Sequence, residues 1–213
     1  MSEAVLATWQ TASRTDSAAV VIPDGCRDLI MWAAPGQRPR WFVSALAGRT
    51  KIASLGAGDY LKGYRLKPWV RIDINGLLGS VRNQYLDDRE IYCRIDRFCR
   101  LSASANEAQS CLAADVVTVA QAAGRLGVSQ RSLQRLAMRK TGRPPSFWLM
   151  LARVRKSARL LSGQVSLAEH ADAHNFSDQA HMTREFRRWL NISPSLLRSG
   201  VEQFSQLQNP GYG

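Results

Sequence analysis

The most informative stretch of the chain runs from Asn175 to Arg188 and reads Asn-Phe-Ser-Asp-Gln-Ala-His-Met-Thr-Arg-Glu-Phe-Arg-Arg. Asn175 tolerates the left-handed conformation that ends a helix, and Ser177 offers a side-chain oxygen that caps the next helix. After this cap, apolar residues recur at helical spacing, which predicts a helix with one buried face. The predicted inward residues are Met182, Phe186 and Trp189 or Leu190. The predicted outward residues are Gln179, His181, Thr183, Arg184, Arg187 and Arg188.

A short helix is predicted just before this segment, over residues 166–174, so the unit has the order helix, tight turn, helix. The same layout occurs 48 residues earlier, where Ser129 takes the place of Ser177. Thr118 and Gln121 have the spacing of a capping box, and Gly127 suits the turn. In the second helix of this earlier unit, Leu133 and Leu136 are predicted to point inward, and Gln130, Arg131, Gln134, Arg135 and Arg139 outward.

Two helices joined by a turn of three to four residues form a helix-turn-helix, whose second helix enters the major groove of DNA. The guanidinium fork of Arg matches the two acceptors of guanine, and the amide of Gln matches adenine. A single such match is also compatible with a solvated polar face on an ordinary helix pair. Because the layout occurs twice in one chain, the sequence favours DNA recognition over that alternative.

The segment between the two units predicts one long helix over residues 146–162, after Pro144 and Pro145. Its apolar stripe consists of Phe147, Leu151, Val154, Ala158 and Leu161. The opposite face is predicted to carry Arg153, Arg155, Lys156 and Arg159. A helix of this length spans roughly 24 Å, so it can hold two recognition helices in successive major grooves.

The charge of the chain agrees with a polyanionic partner. Among 213 residues, 29 are Lys or Arg and 17 are Asp or Glu, which gives a net charge of +12. The first 113 residues carry 15 basic and 11 acidic side chains, whereas the last 100 carry 14 and 6. The sequence shows neither a run of apolar residues long enough for a membrane helix nor the pattern of a signal peptide, so we expect a cytoplasmic protein without membrane partners.

The first hundred residues predict mainly β structure. Short apolar runs alternate with turn residues, as in Val20–Ile22, the Pro-Asp-Gly turn at 23–25 and the run 29–32. Further strands are predicted at 41–43, 52–55, 60–66 and 69–74, followed by a short helix around 77–85. A linker that runs into a first short helix is predicted over 101–115. The last residues, 200–213, are rich in Gln, Asn, Pro and Gly and predict a flexible tail.

Three other interpretations of single residues are weaker. His170 and His174 have the spacing of a zinc pair, but Glu169 precedes both and breaks the usual order of such a motif. The four cysteines contain no Cys-x-x-Cys pair, so reduced thiols are favoured over a zinc site or a redox switch. The N-terminal tryptophans fill a core or line a ligand pocket. We therefore predict no metal and no cofactor.

The helical half resembles the DNA-binding domain of the AraC/XylS family of bacterial transcription regulators. The resemblance covers residues 105–198, and its most specific part is the stretch 175–188 followed by Ile192-Ser193-Pro194. It implies that bases are read by Arg131, Gln134, Arg135, Gln179, His181, Thr183 and Arg184. It implies that phosphates are contacted by Ser129, Arg139, Ser177, Arg187 and Arg188.

The N-terminal half resembles a small cupin-like module that precedes the DNA-binding domain in some AraC-type regulators. The resemblance rests on Pro23-Asp24-Gly25-Cys26, on Asp28-Leu29 and on the segment 62–68. The expected fold is α+β, with a β-rich cupin-like sensory or regulatory domain at 1–100, an all-α double helix-turn-helix domain at 101–199 and the flexible tail at 200–213.

The expected function is sequence-specific binding of double-stranded DNA by a transcription regulator that is not an enzyme. The alternative is a ligand-binding or protein-interaction module whose helical domain no longer reads DNA specifically. A metal-dependent enzyme on the cupin-like half is disfavoured because the first 113 residues contain no histidine. Expected partners besides DNA are RNA polymerase or another regulator and a small-molecule effector, with the chain acting as a monomer or a homodimer.

Overall fold

A computed structural model describes residues 2–200 and 206–213 of the chain. The chain divides into two compact units. The β-rich unit contains the residues up to Ala19, Cys26–Leu46 and Ile52–Asn106. The helical unit contains Val20–Gly25, Ala47–Lys51 and Glu107–Gly213. Two short segments of the N-terminal half therefore belong to the helical unit, which a single boundary at residue 100 does not describe.

The strands form one four-stranded sheet and two two-stranded sheets. The strands are β1 (Val5–Ala12), β2 (Ser17–Val21), β3 (Arg27–Ala33), β4 (Arg40–Val43), β5 (Lys51–Leu55), β6 (Tyr60–Leu66), β7 (Arg71–Ile72) and β8 (Cys99–Arg100). The largest sheet has the order β1-β6-β3-β4, while β2 pairs with β5 and β7 with β8. Strand β6 is an inner strand of the large sheet and pairs with both β1 and β3. Gly63 of β6 is aligned with Trp9 on one side and with Ile30 on the other.

Two helices complete the β-rich unit, α1 (Ile74–Val81) and α2 (Asp88–Phe98). Asp73 caps α1, and Asp87 with Glu90 forms a capping box at the start of α2. The core joins buried side chains of the large sheet to those of both helices, including Leu29, Tyr64, Leu66, Leu77, Val81, Ile91 and Ile95. Burial of these apolar surfaces is the main stabilising contribution in this unit.

The N-terminal sequence predictions are only partly correct. Most predicted strands are present, but β1 and the eleven-residue helix α2 were not predicted. The strand expected over 69–74 shortens to Arg71–Ile72, because Trp69 adopts a positive φ of 63° and α1 begins at Ile74. The predicted linker over 101–115 contains the helix α3 (Ala103–Ala113).

Among the described residues of the helical unit, six α-helices follow α3. They are α4 (Val119–Arg125), α5 (Gln130–Thr141), α6 (Pro145–Arg159), α7 (Leu167–Ala173), α8 (Gln179–Leu190) and α9 (Pro194–Arg198). Helix α6 packs against α4, α5 and α8. Its buried residues cover more than one face and include Trp148, Leu151, Val154 and Ala158. The sequence therefore positions α6 as the central helix of this unit.

Arg155 of α6 is buried, with a relative exposure of 1%. Its Nε donates to the carbonyl oxygen of Tyr212 at 2.9 Å, and its two terminal nitrogens donate to the carbonyl oxygens of Pro23 at 3.2 Å and Asn209 at 3.3 Å. The amide of Tyr212 donates to the carbonyl of Asp24 at 2.7 Å. One buried cation thus joins α6 to two segments that are far away in the sequence.

Residues 206–213, the described part of the predicted flexible tail, pack against the helical unit through these contacts. Leu207 and Tyr212 are buried at 3% exposure each, and the Tyr212 hydroxyl donates to the carbonyl oxygen of Gln109 at 3.2 Å. The composition suggested fraying, but two apolar anchors and the carbonyls required by Arg155 outweigh it. Residues 201–205 of the predicted tail lie outside the described residues.

Gly25 shows how closely the Pro-Asp-Gly turn packs within the helical unit. Its φ is +73°, and a Cβ at this position would lie 2.5 Å from Cβ of Tyr212 and 3.2 Å from Trp148. Both observations require glycine at this position.

Among the described residues, no helix is long and apolar enough to cross a membrane.

We predict that Gly63→Ala destabilises the β-rich unit by about 1–3 kcal/mol, because overpacking of a tight site costs this much. The added Cβ would overlap the indole ring of Trp9, which is held by a 3.0 Å hydrogen bond from its Nε1 to Asp28. Urea denaturation followed by circular dichroism measures the change. Gly79→Ala in α1 is the matched control, since it meets nothing within 4 Å and should stabilise slightly. Equal effects of the two changes would contradict the prediction.

We predict that Arg155→Met lowers the free energy of unfolding of the helical unit by about 3 kcal/mol, because buried carbonyl groups lose their donor. Lys156→Met is the matched control on the next residue of α6. Its ion pair with Asp115 is exposed, so its loss should change stability by less than about 1 kcal/mol. Chemical denaturation of the two variants separates these outcomes, and a small effect of Arg155→Met would argue against the role of the buried guanidinium.

Candidate nucleic-acid interface

Helices α4 and α5 form the first helix-turn-helix as predicted. Thr118 accepts from the amide of Gln121 in a capping box, and Gly127 has a φ of +62° in the turn. The hydroxyl of Ser129 accepts from the amide of Ser132 at 3.1 Å and so caps α5. Leu133 and Ala137 are buried on the inner face of α5, while Leu136 is half-buried.

Helices α7 and α8 form the second helix-turn-helix. Ser166 and Glu169 form a capping box at the start of α7, and Asn175 has the predicted positive φ, 59°. The predicted inward residues Met182, Phe186, Trp189 and Leu190 are all buried. Phe176 of the turn is also buried and lies edge-on to Phe186, at 6.4 Å between ring centroids.

The cap of α8 differs from the prediction. Asp178, not Ser177, is the N-cap, and its carboxylate accepts from the amide of His181 at 2.6 Å. This hydrogen bond is the main reason that the pKa of Asp178 lies below its usual value. Ser177 precedes the cap, where its hydroxyl lies 3.0 Å from Nδ1 of His181. Two adjacent cap-forming residues made the sequence ambiguous at this position.

Polar residues of α6 connect the two helix-turn-helix units. Arg153 donates to the carbonyl oxygen of Val117, just before α4, at 3.0 Å, and its guanidinium lies 5.9 Å from the ring centroid of Phe176. Ser157 is buried and its hydroxyl lies 3.0 Å from Nε2 of His170 in α7. A single helix therefore fixes the position of both units through hydrogen bonds as well as apolar packing.

These contacts correct the predicted polar face of the connecting helix. Arg155 is buried and Arg153 is half-buried, so neither lies on a solvated stripe. Arg159 donates to the carbonyl oxygen of Gly213 and is also half-buried. Lys156 is exposed and pairs with Asp115 at 2.7 Å. The structural role of these arginines was not predicted from the sequence. Charge alone does not distinguish an exposed guanidinium from one that donates to buried carbonyl groups.

Five of the seven predicted base-reading residues are exposed on α5 and α8. They are Arg131, Gln134, Arg135, Gln179 and Arg184. On α5, the first three recur at helical spacing and so share one face. The structure places the three predicted residues of α5 on the face opposite buried Leu133 and Ala137, and it exposes Gln179 at the start of α8 and Arg184 in its middle.

The other two predicted base-reading residues are half-buried and have partners within the second unit. Nδ1 of His181 lies 3.3 Å from the amide nitrogen of Ser177, and the imidazole lies edge-on to Phe176 at 5.6 Å between centroids. The hydroxyl of Thr183 donates to the carbonyl oxygen of Gln179 at 2.9 Å. These bonds orient both side chains at the start of α8.

The predicted phosphate-contacting residues are also exposed: Ser129, Arg139, Ser177, Arg187 and Arg188. Ser129 and Ser177 lie at the amino-terminal ends of α5 and α8, where helix dipoles favour anions. Arg188 lies 5.8 Å from the ring centroid of Trp189 and 3.5 Å from Glu185. Glu185 also accepts from Trp189 Nε1 at 3.0 Å, so the acidic side chains of this surface, Asp178 and Glu185, are engaged inside the unit.

The histidines of α7 are packed rather than arranged as ligands. His170 is buried at 4% exposure, and its ring centroid lies 4.4 Å from that of His174. Burial lowers the pKa of both imidazoles, and the close approach of His170 lowers the pKa of His174 further. Within the described part of the chain, no group of three or more His, Cys, Asp or Glu residues is placed to hold a metal ion.

Comparison with known proteins gives matches in the helical region. Residues 122–200 match a family described as a helix-turn-helix domain. The HTH-type transcriptional activator RhaS of Escherichia coli is 35% identical over 94 residues, which cover 44% of this chain and 34% of RhaS. The HTH-type transcriptional regulator RipA of Corynebacterium glutamicum is 34% identical over 87 residues, which cover 41% of this chain and 26% of RipA.

Solved structures include an AraC-type regulator from Chromobacterium violaceum. It is 28% identical with a TM-score of 0.41, and the match covers 50% of this chain and 93% of that one. The chain spans about a third of the length of RhaS, the curated relative named above. The matched residues contain α5 to α9 and most of α4, which are the elements that carry both predicted recognition surfaces. The helical region of this chain is therefore similar to the helix-turn-helix domains of known transcriptional regulators.

Proposed function

We propose that this protein is a transcription regulator that binds a specific double-stranded DNA sequence through α5 and α8. The observation that carries the proposal is the pair of exposed, arginine-bearing helices whose supporting elements are both fixed by α6. Relatives of the helical region are named as a transcriptional activator and a transcriptional regulator, which supports the same function.

In this proposal, Arg131, Gln134 and Arg135 of α5 contact bases in one major-groove segment. Gln179 and Arg184 of α8 contact bases in an adjacent segment, and His181 and Thr183 contribute there from orientations fixed by their hydrogen bonds. Exposed arginines provide bidentate donors for guanine, and the two glutamines provide the donor and acceptor pair for adenine. The phosphate contacts are assigned to Ser129, Arg139, Ser177, Arg187 and Arg188.

The β-rich unit is proposed to regulate this DNA binding. Its expected partners are RNA polymerase or another regulator and a small-molecule effector, and the protein is expected to act in the cytoplasm as a monomer or a homodimer. The second candidate function is a ligand-binding or protein-interaction module without specific DNA binding. Its support is Ala137, a small residue at a fully buried position of α5.

Selection of bound duplexes from a random DNA library with the full chain tests the proposed function. We expect an enriched sequence with two short blocks about one helical turn, or roughly 10 base pairs, apart. Enrichment of one block only would contradict base recognition by both helices. Absence of any enriched sequence, with binding that varies little with salt, would support the second candidate function instead.

We predict that Arg184→Ala and Arg187→Ala weaken DNA binding in different ways. Arg184→Ala should cost about 1–3 kcal/mol on the selected duplex and relax selectivity at one base pair, since a bidentate base contact is worth this much. Arg187→Ala should weaken binding to all duplexes and reduce the slope of log K against log salt by about one, since one phosphate contact is lost. Fluorescence anisotropy at several salt concentrations measures both quantities.

Arg125→Ala is the matched control for these two variants. Arg125 lies at the end of α4, donates to the carbonyl oxygen of Asp115 at 3.2 Å, and is not among the residues assigned to base or phosphate contacts. This variant loses one positive charge, as the other two do, but no assigned base contact. We therefore expect its selectivity among duplex sequences to be unchanged. If Arg184→Ala and Arg125→Ala had the same effect on selectivity, the assignment of α8 as a recognition helix would be wrong.

A further inference from the structure

The β-rich unit contains an open cleft of about 630 Å³ at the junction of β7, β8 and the two helices that adjoin them. Its lining residues are Arg71, Ile72, Asp73, Ile74, Asn75, Arg97, Phe98 and Arg100. The volume lies in the range of small-molecule sites. All of these residues belong to the β-rich unit, and none of them is among the residues of the proposed DNA-binding surface.

The arrangement of the arginines in this cleft is electrostatically unfavourable without a further partner. Arg71 and Arg100 are directly paired residues of the antiparallel strands β7 and β8, so their side chains lie on the same face. Like charges at directly opposite positions destabilise a sheet. Arg97 adds a third positive charge from the last turn of α2. Among the described residues, no ion pair joins any of these three guanidinium groups to a carboxylate within 4.0 Å.

Asp73 is the one carboxylate that lines the cleft, and it has another role. Its side chain accepts from the amide of Gly76 at 3.1 Å and caps α1. One terminal nitrogen of Arg100 is also engaged, since it donates to the carbonyl oxygens of Asp96 and Cys99. The three guanidinium groups therefore leave an excess of positive charge at the cleft, next to the amino-terminal end of α1, which also favours anions.

Apart from Asn75, the rest of the cleft lining is apolar. Ile72, Ile74 and Phe98 form this part of its lining, and Phe98 is covered on one side by Arg97, whose guanidinium lies 5.4 Å from the ring centroid. Gly76 permits this arrangement, since a Cβ there would lie 2.6 Å from Cε1 of Phe98. A ligand that fits this lining has an anionic group and an apolar body.

We infer that this cleft binds an organic anion, with its carboxylate or phosphate group held by Arg71 and Arg100 and its apolar body against Phe98. Guanidinium groups bind both kinds of anion through paired hydrogen bonds. The inference goes beyond the proposed function by assigning the site and the chemical class of the small molecule. That such a ligand regulates DNA binding rests on the proposed function, whereas the binding itself does not.

Isothermal titration calorimetry of the full chain with phenyl phosphate and with phenylacetate tests the inference, in a buffer free of phosphate and sulfate. At least one of the two should bind, and their ranking identifies the preferred anionic group. Arg71→Gln and Arg100→Gln should each raise the Kd about tenfold or more, since each removes a charged donor. Phenol, which lacks the anion, and inorganic phosphate, which lacks the apolar body, should bind more weakly than phenyl phosphate.

Arg89→Gln is the matched control, since Arg89 is an exposed residue of α2 that does not line the cleft. This variant should bind as the wild type does. Without ligand, Arg71→Gln should unfold at the same temperature as the wild type or a higher one, because it removes a repulsive pair. If Arg71→Gln binds the anion weakly but unfolds at an unchanged or higher temperature, the variant has lost the binding site and not the fold.

The inference would be overturned if the wild type bound neither anion, or if the wild type and Arg71→Gln bound the anions equally well. It would also be overturned if the wild type bound neither anion and Arg71→Gln weakened the binding of duplex DNA. The last result would assign the cleft to DNA phosphates. Because the anion titrations contain no DNA, their failure is distinguishable from failure of the proposed function, which the duplex selection tests with the ligand-free chain.

Discussion

The helical unit depends on the buried guanidinium of Arg155. A charge removed from water is stable only when its hydrogen-bonding groups are satisfied, and this side chain obtains carbonyl acceptors from Pro23, Asn209 and Tyr212. The requirement explains why the turn at Val20–Gly25 and the end of the chain lie against α6. The same helix positions both helix-turn-helix units, so the acceptors of one arginine affect the support of both α5 and α8.

The local features of the helical region were predictable because short-range signals specify them. The capping boxes at Thr118 and Ser166, the left-handed Gly127 and Asn175, and the buried face of α8 follow from rules that involve only neighbouring residues. The exposure of the arginines on α5 and α8 follows from the same periodicity. The exchange of Ser177 for Asp178 as the cap shows the limit, since two adjacent residues satisfied the rule equally well.

Strand β1 and the packing of residues 206–213 depend on distant contacts, whereas helix α2, which was also not predicted, carries local signals. Helix α2 is strongly amphipathic and begins with Asp87 and Glu90 in a capping box, but the β pattern of the preceding strands obscured it. The strand β1 acquires its role by pairing with β6, whose partner residues are 48 to 61 positions away in the sequence. The ordered residues 206–213 depend on Arg155 and Gln109, which no local pattern associates with a Gln- and Gly-rich segment.

The assignment of Val20–Gly25 and Ala47–Lys51 to the helical unit has a consequence for how such proteins diversify. Thr50 donates from both its amide and its hydroxyl to the carbonyl oxygen of Trp189, at 2.8 and 3.1 Å, at the carboxyl end of α8. A gene fusion with one crossover near residue 100 would transfer α8 and α6 without these two segments. Recombination at that point would therefore separate the helical unit from the two N-terminal segments that pack within it. We expect the two halves of the gene to evolve together and not to be exchanged independently.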